Sequence, residues 1–335
     1  MNLGHLMRQR FSEEVSGLLS AAGTEAWGCG ERLYLVGGTV RDLLLGRTTL
    51  DLDMVVEGDA MVLAETLAAR VGGRLTIHRR FGTAKWKWGD VVIDLATSRS
   101  ESYARPGALP TVRSGSIGED LGRRDFTVNA LAAHLSPDRF GELIDPCGGL
   151  SDLEQGLIRV LHDGSFIDDA TRILRAVRYE QRLDFRLEPK TENLVRKDVR
   201  LLDTISGDRL RHELELVFRE EEPWRILLRA QDLGVLKQLH PALEADSWLK
   251  EKFALTRCTA ASGRPLTYLL LLGYRLTSSE VDEFTARFGF EASRARSLKD
   301  VVDLRDKLPA LLESTVKNSG LYRLLAGYSL HAIAV

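Results

Sequence analysis

Apolar and polar positions follow two rhythms along this chain, one short and one long, and the change falls near its middle. From residue 33 to about 133, short runs rich in branched and aromatic residues read as strands: RLYLV, LDMVV, RLTIH, TAKWKW and DVVIDLAT. A helical spacing over 60–71 separates the second run from the third. TAKWKW and VVIDLAT are joined by Gly89-Asp90, a pair suited to a tight hairpin turn. An amphipathic helix over 11–22, stopped by Gly23, precedes the strands. From residue 150 onward strand signals vanish, and helical periodicity over 169–185, 208–219, 223–233 and later stretches predicts an all-α second half. Between the two lies 98–122, rich in Ser, Gly, Pro and Arg, and long for a structureless connection. The pattern predicts an α+β class, with a small, mostly antiparallel sheet rather than a doubly wound parallel one.

Composition narrows the picture. The 335 residues suffice for one large domain or two ordinary ones, and 44% hydrophobic with 28% charged residues is globular rather than disordered. A net charge of −2 gives little long-range attraction for nucleic acid, so any RNA contact has to come from local basic patches. The three cysteines lie far apart without a CxxC pair, which argues against structural zinc and a disulfide framework and fits a reducing cytoplasm. The N-terminus lacks the apolar run of a signal peptide. The most apolar stretch, around Leu270, is too short and interrupted to span a bilayer, so no membrane partner is expected.

The densest chemistry lies in 33–56. An apolar run stops at Gly37-Gly38, a short helical pattern carries Arg41-Asp42, and a second run carries Asp51 and Asp53. Residues two apart on a strand share a face, so the two carboxylates project side by side. Such anions repel unless a cation sits between them, and hard oxygen ligands suit Mg²⁺. The glycine turn offers backbone N–H groups to phosphates. A Gly-Gly pair alone is an ordinary turn, and Asp-Leu-Asp alone an ordinary solvated strand. Their order, with Arg41 and within about thirty residues, points to metal-assisted chemistry on a nucleoside triphosphate.

Three more constellations add to this. Asp94 would complete a carboxylate cluster if its strand lay beside 51–53; a surface Asp at a strand end is the equal alternative. Arg123-Arg124-Asp125 read as opening a helix with Phe126, Val128 and Leu131 on its apolar face. Cations there oppose the helix dipole, which a bound anion would relieve; a solvated basic patch is the plain alternative. Asp168 or Asp169 can cap a helix on which Arg172, Arg175 and Arg178 recur every third residue. An Asp and an Arg at i and i+3 can read a base edge, or else form a salt-bridged helix surface.

The order GGTVRD, LDLDMVVEGDA, RRDFTVNALA, DDATRILRAVR and GDRLRHELELVF, from about Tyr34 to Leu243, resembles the bacterial class II tRNA nucleotidyltransferase and poly(A) polymerase family, within the polymerase-β-like nucleotidyltransferase superfamily. The resemblance implies an enzyme that adds AMP and/or CMP from ATP or CTP to the tRNA 3′ end, without a template and with Mg²⁺. It implies that Gly37, Gly38 and Arg41 meet the triphosphate, that Asp51 and Asp53 hold catalytic metal, and that Asp94 is the third carboxylate. Arg124 would contact ribose or phosphate, Asp169 and Arg172 would pair with the base, and Arg175 and Arg178 would support that pocket. Asp208, Arg209 and Glu213 fall in a motif expected to be structural, and 98–122 corresponds to the family's mobile loop. The family's usual Glu-Asp pair reads Asp168-Asp169 here.

The implied organisation is an N-terminal helical extension (1–30), a catalytic head (31–150), a helical neck with the base pocket (151–205) and a helical, RNA-binding body (206–335) whose tail is short or missing. Within the family, DLDMVVEGDA is more similar to tRNA-end enzymes than to poly(A) polymerases, and VVEGDA with the YARPG loop resembles the A-adding branch. A non-catalytic RNA-binding or nucleotide-sensing relative would show a broken DxD or a lost base-reading Arg, and neither is seen.

Overall fold

The computed structural model describes residues 1–47, 50–102, 111–259, 264–313 and 318–335. The chain forms two compact units, Met1–Ser165 and Phe166–Val335. The α+β class holds: a sheet-bearing N-terminal unit is followed by a helical one.

In the first unit, helices α1 (Gly4–Arg10) and α2 (Glu13–Gly28) lead into strand β1 (Arg32–Val36), helix α3 (Gly38–Leu44), strand β2 (Asp51–Glu57) and helix α4 (Ala60–Val71). Ser12 caps α2 by accepting the Val15 N–H at 3.2 Å. Gly23 does not end this helix, contrary to the sequence expectation. It sits mid-helix because a side chain there would collide with the Leu135 carbonyl, so the glycine serves close packing. Strands β3 (Arg74–His78), β4 (Thr83–Trp88) and β5 (Val91–Thr97) follow, with the expected hairpin joining the last two.

The segment 98–122 is built around a second hairpin, β6 (Arg99–Ser102) with β7 (Thr111–Ser114), and helix α5 (Ile117–Gly122), rather than a structureless loop. A capping box between Ser116 and Glu119 starts α5. The middle of the expected mobile loop, 103–110, lies outside the described residues. Strands β8 (Ala132–His134) and β9 (Leu143–Ile144) and helix α6 (Gly149–Gln155) come next.

The main sheet runs β3-β4-β5-β2-β1-β8-β9. Only β2 and β5 pair in parallel; every other neighbouring pair is antiparallel. Alternation along the strands decides the two faces. Leu33, Leu35, Leu52, Met54, Val56, Ile93 and Leu95 point to one face, in a core shared with Leu19, Leu63 and Leu67 of α2 and α4. Tyr34, Val36, Val55 and Ala132 point to the other, where they cluster with Leu121 of α5. Asp51, Asp53 and Asp94 remain exposed.

The second unit is helical apart from the two-residue strand Arg186–Leu187 and one 3-10 turn, among its described residues. Together with Leu157–Ile158 in the first unit, that strand corrects the expectation of no strands past residue 150. Helix Gly207–Arg219 buries Leu210, Leu214, Val217 and Phe218 on one stripe and packs against helices Thr171–Leu183, Arg264–Gly273 and Ser278–Phe288. No helix among the described residues is long and apolar enough to cross a membrane.

Candidate active site

The glycine pair is where the first unit's chemistry converges. Gly37 has φ +61° and ψ −127°, a backbone state open in practice only to glycine, and a side chain there would strike Arg124 Nη1. A carbon on Gly38 would lie 3.5 Å from Arg41 Nη2 and 3.9 Å from Asp53 Oδ2. The turn thus gathers Arg124, Arg41 and Asp53 around two residues without side chains. The first-turn amides of α3 have no helical acceptors of their own.

Thr39, buried on α3, ties this turn to the aspartate strand. Its Oγ1 accepts the Asp53 N–H at 2.9 Å and donates to the Asp51 carbonyl at 3.4 Å. Thr39→Val keeps the shape but strands the Asp53 amide, so we expect a loss of about 1–2 kcal/mol in urea unfolding. Thr39→Ser should restore most of that stability.

Register places Asp94 of β5 directly beside Asp53 of β2, as the third-carboxylate expectation required. Lys85 Nζ, however, donates to Asp94 Oδ2 at 2.9 Å. Among the described residues, no group of three or more His, Cys, Asp or Glu side chains is close enough to hold a metal ion. Asp53 is reached by solvent, yet protein packed around its carboxyl pushes its pKa up. Asp94 and Asp51 push it further, against the opposing pull of Arg124 and Arg41. Crowded carboxylates with hard oxygen donors fit a divalent ion completed by waters and phosphate oxygens.

Arg41 is buried and fixed twice. Its Nε and Nη2 donate to Asp42 at 2.9 and 3.0 Å, and its Nη1 donates to Asn129 Oδ1 at 2.5 Å. Asn129 in turn donates to Asp125 at 3.0 Å. Arg123 and Arg124 do not open a helix, contrary to expectation. Arg123 caps the C-terminal end of α5, where the dipole favours cations; the chain then bends through Arg124 and Asp125 into the 3-10 turn Thr127–Asn129.

Their partner is Asp120, fully buried. It accepts from Arg123 Nη2 at 2.5 Å and Arg124 Nη2 at 3.0 Å. Burial works to raise the Asp120 pKa, but the Arg124 and Arg123 guanidiniums outweigh it and hold the carboxyl below its ordinary value. Arg124 Nε is a buried donor with no acceptor among the described residues, which suits an anion at this position.

The second unit holds the other constellation. Asp169 Oδ1 accepts from Thr171 N at 3.0 Å and Thr171 Oγ1 at 2.7 Å, beside the N-terminal end of helix Thr171–Leu183. Arg209 Nη2 donates to both Asp169 carboxylate oxygens at 2.7 Å. The arginine face of this helix is salt-bridged, as the plainer sequence reading has it. Arg172 and Arg178 are buried, and Glu213 lies 3.6 Å from both Arg175 and Arg178, with Glu220 3.2 Å from Arg178.

Sequence reasoning missed Thr39, Asp120 and Asn129 and gave Arg209 and Glu213 only a structural role. Asp120 was legible: it precedes Arg123 and Arg124 by three and four residues. Thr39 carries no local signal, because its partners lie 12 and 14 residues on; Asn129 has a local partner in Asp125, but its link to Arg41 spans 88 residues.

A strand-borne aspartate pair, a glycine turn and fixed arginines on a mixed sheet define a nucleotidyltransferase head. Comparison with known proteins agrees. Residues 33–159 match the Poly A polymerase head domain, and 184–247 match a segment described as "Probable RNA and SrmB- binding site of polymerase A". The A-adding tRNA nucleotidyltransferase of Geobacter sulfurreducens is 46% identical over 242 residues, 71% of this chain and 28% of that protein. The CCA-adding enzyme of Lactobacillus johnsonii is 36% identical over 83% of this chain and 68% of its own length. A solved CCA-adding enzyme in an apo form superposes with a TM-score of 0.87 at 35% identity, covering 99% of this chain and 81% of that one. The chain belongs to the tRNA nucleotidyltransferase and poly(A) polymerase family. It spans between 28% and 57% of the length of the A-adding relatives it matches.

Proposed function

We propose that this protein adds AMP, CMP or both, from ATP or CTP, to the 3′ end of tRNA in the cytoplasm, without a template. The observation that carries the reading is the convergence of Asp53, Arg41 and Arg124 on the Gly37-Gly38 turn. Asp51 and Asp53 would hold Mg²⁺, which supplies Lewis acidity for attack of a terminal 3′-hydroxyl on the α-phosphorus. The hydroxyl gives up its proton to water, the new 3′-O–P bond replaces the bond to the β-phosphate, and pyrophosphate leaves. Arg41 and Arg124 hold triphosphate oxygens, and the buried Arg124 Nε has a donor to spare for them.

Asp169 and Arg172 read the base edge, the carboxylate accepting an exocyclic amine and the guanidinium donating to a ring acceptor. Arg209, joined to Asp169, sets that carboxylate's orientation, and Glu213 does the same for Arg175 and Arg178. The 46% identity to an enzyme named as A-adding supports ATP as a substrate.

Purified protein with Mg²⁺ and labelled ATP or CTP, offered tRNA transcripts ending before, within and after CC, tests the reading. We expect AMP incorporation on the transcript ending in CC. Absence of incorporation on every transcript would end it, and CTP incorporation on the shorter ends would extend it to CC addition.

A further inference from the structure

The sheet face that bears the carboxylates runs on, strand by strand, into cations. Register puts Asp53, Asp94, Lys85 and Thr76 in one row across β2, β5, β4 and β3, and Asp51, Val92, Lys87 and Arg74 in the next. Register partners share a face, and the intervening Ala84, Trp86 and Ile93 are buried on the helical side. Arg74, His78, Lys85 and Lys87 are all exposed. At the usual strand spacing, the lysines of β4 stand roughly 10 Å from the β2 aspartates and Arg74 roughly 15 Å.

Two features mark this patch as built for an anion. Residues 66–89 contain no Asp or Glu, but hold Arg70, Arg74, Arg79, Arg80, Lys85 and Lys87. Arg74 and Lys87 also face each other across the β3–β4 pair, and like charges so placed cost stability. Charge on an edge strand deters unwanted pairing, which accounts for Arg74 on β3. Lys85 is paired with Asp94 at 2.9 Å, but neither edge protection nor that pair accounts for Lys87, because β4 lies inside the sheet, between β3 and β5.

We propose that this face is a track for the RNA backbone: Arg74 and Lys87, flanked by Lys85 and His78, hold phosphates of the single-stranded 3′ segment as its end reaches Asp53. The proposal rests on the nucleotidyl-transfer reading and deepens it. Sheet order argues for RNA over the nucleotide here. The triphosphate groups, Gly38, Arg41 and Arg124, cluster where β1 leads into α3, whereas the basic rows extend from the opposite flank of β2 through β5. The two reactants would approach the carboxylates from opposite sides.

The double variant Arg74→Gln/Lys87→Gln tests this with ATP and a labelled tRNA transcript ending in CC. We expect the KM for RNA to rise about tenfold with the KM for ATP within about twofold of wild type. In filter binding, the log–log salt slope should fall by about 1.4, roughly 0.7 for each single-strand phosphate no longer neutralised. Arg74→Lys/Lys87→Arg should restore both. A folded double variant with unchanged RNA KM and salt slope would overturn the track. So would lowered solubility with unaltered RNA binding, which is edge protection alone, or an acidic peptide competing for the face while tRNA does not. Should the double variant fail to fold, Lys87→Gln alone is read the same way, with half the slope change. If wild-type protein binds the transcript but transfers nothing, the transfer reading fails, and the salt slope still judges the track.

Discussion

Asp53→Asn should cut nucleotide incorporation at least about a thousandfold while leaving the protein folded. A bound divalent ion supplies several kcal/mol of transition-state charge stabilisation in such sites, and about 4 kcal/mol is a factor of a thousand. Stability should move the other way. Burial and the neighbouring Asp94 and Asp51 raise the Asp53 pKa in the folded protein, so ionising this group opposes folding. That cost is absent below the unfolded pKa, near 4, and grows as pH rises through the folded value. Asparagine carries no such charge. Without metal the variant should therefore melt no lower than wild type at pH 7, the two converging in acid. Added Mg²⁺ should raise the melting temperature of the wild type and not of the variant. Retained activity, or a variant that unfolds, would remove Asp53 from its assigned role.

Asp120→Asn should give the largest stability loss of any single polar substitution in the first unit, about 3 kcal/mol in denaturant unfolding. The reason is the state left behind: two largely buried guanidiniums, Arg123 and Arg124, lose their shared carboxylate. The pH dependence follows from sign. The folded Asp120 pKa is depressed, so its contribution is complete above the unfolded value near 4 and fades as pH falls through the folded one. The gap between wild type and variant should thus be full at pH 6–7 and shrink below about pH 4. Activity should fall as well, because Arg124 is held against Gly37 from this anchor. An equally stable variant would show that the arginines find other partners.

Much of the site was open to reading in the chain because its parts are local. Asp51 and Asp53 share a face by strand alternation alone, and that alternation is visible as DLDMVV. The hairpin through Gly89-Asp90 and the helix over 60–71 declare themselves in a few residues each. The errors came where a neighbour outside the window decided. Gly23 looks like a helix stop, but Leu135, over a hundred residues away, requires the glycine inside the helix. RRDF looks like a helix start because apolar spacing follows it, yet Asp120 and the end of α5 claim both arginines. On the arginine-studded helix Thr171–Leu183 a salt-bridged surface is one of the two sequence readings, and only its partners, Glu213 and Glu220, lie outside the window.

By itself, then, the sequence determined the α+β class and the strand and turn that carry the aspartates. These follow from short-range periodicity and from residue types with few uses. Tertiary structure alone decided what holds the chemistry in place: Asp94 beside Asp53, Thr39 bridging turn and strand, Asp120 under the arginine pair, Arg209 on Asp169. The physical reason is that a buried charge or amide takes whichever partner folding brings near, and sequence distance places no bound on that choice.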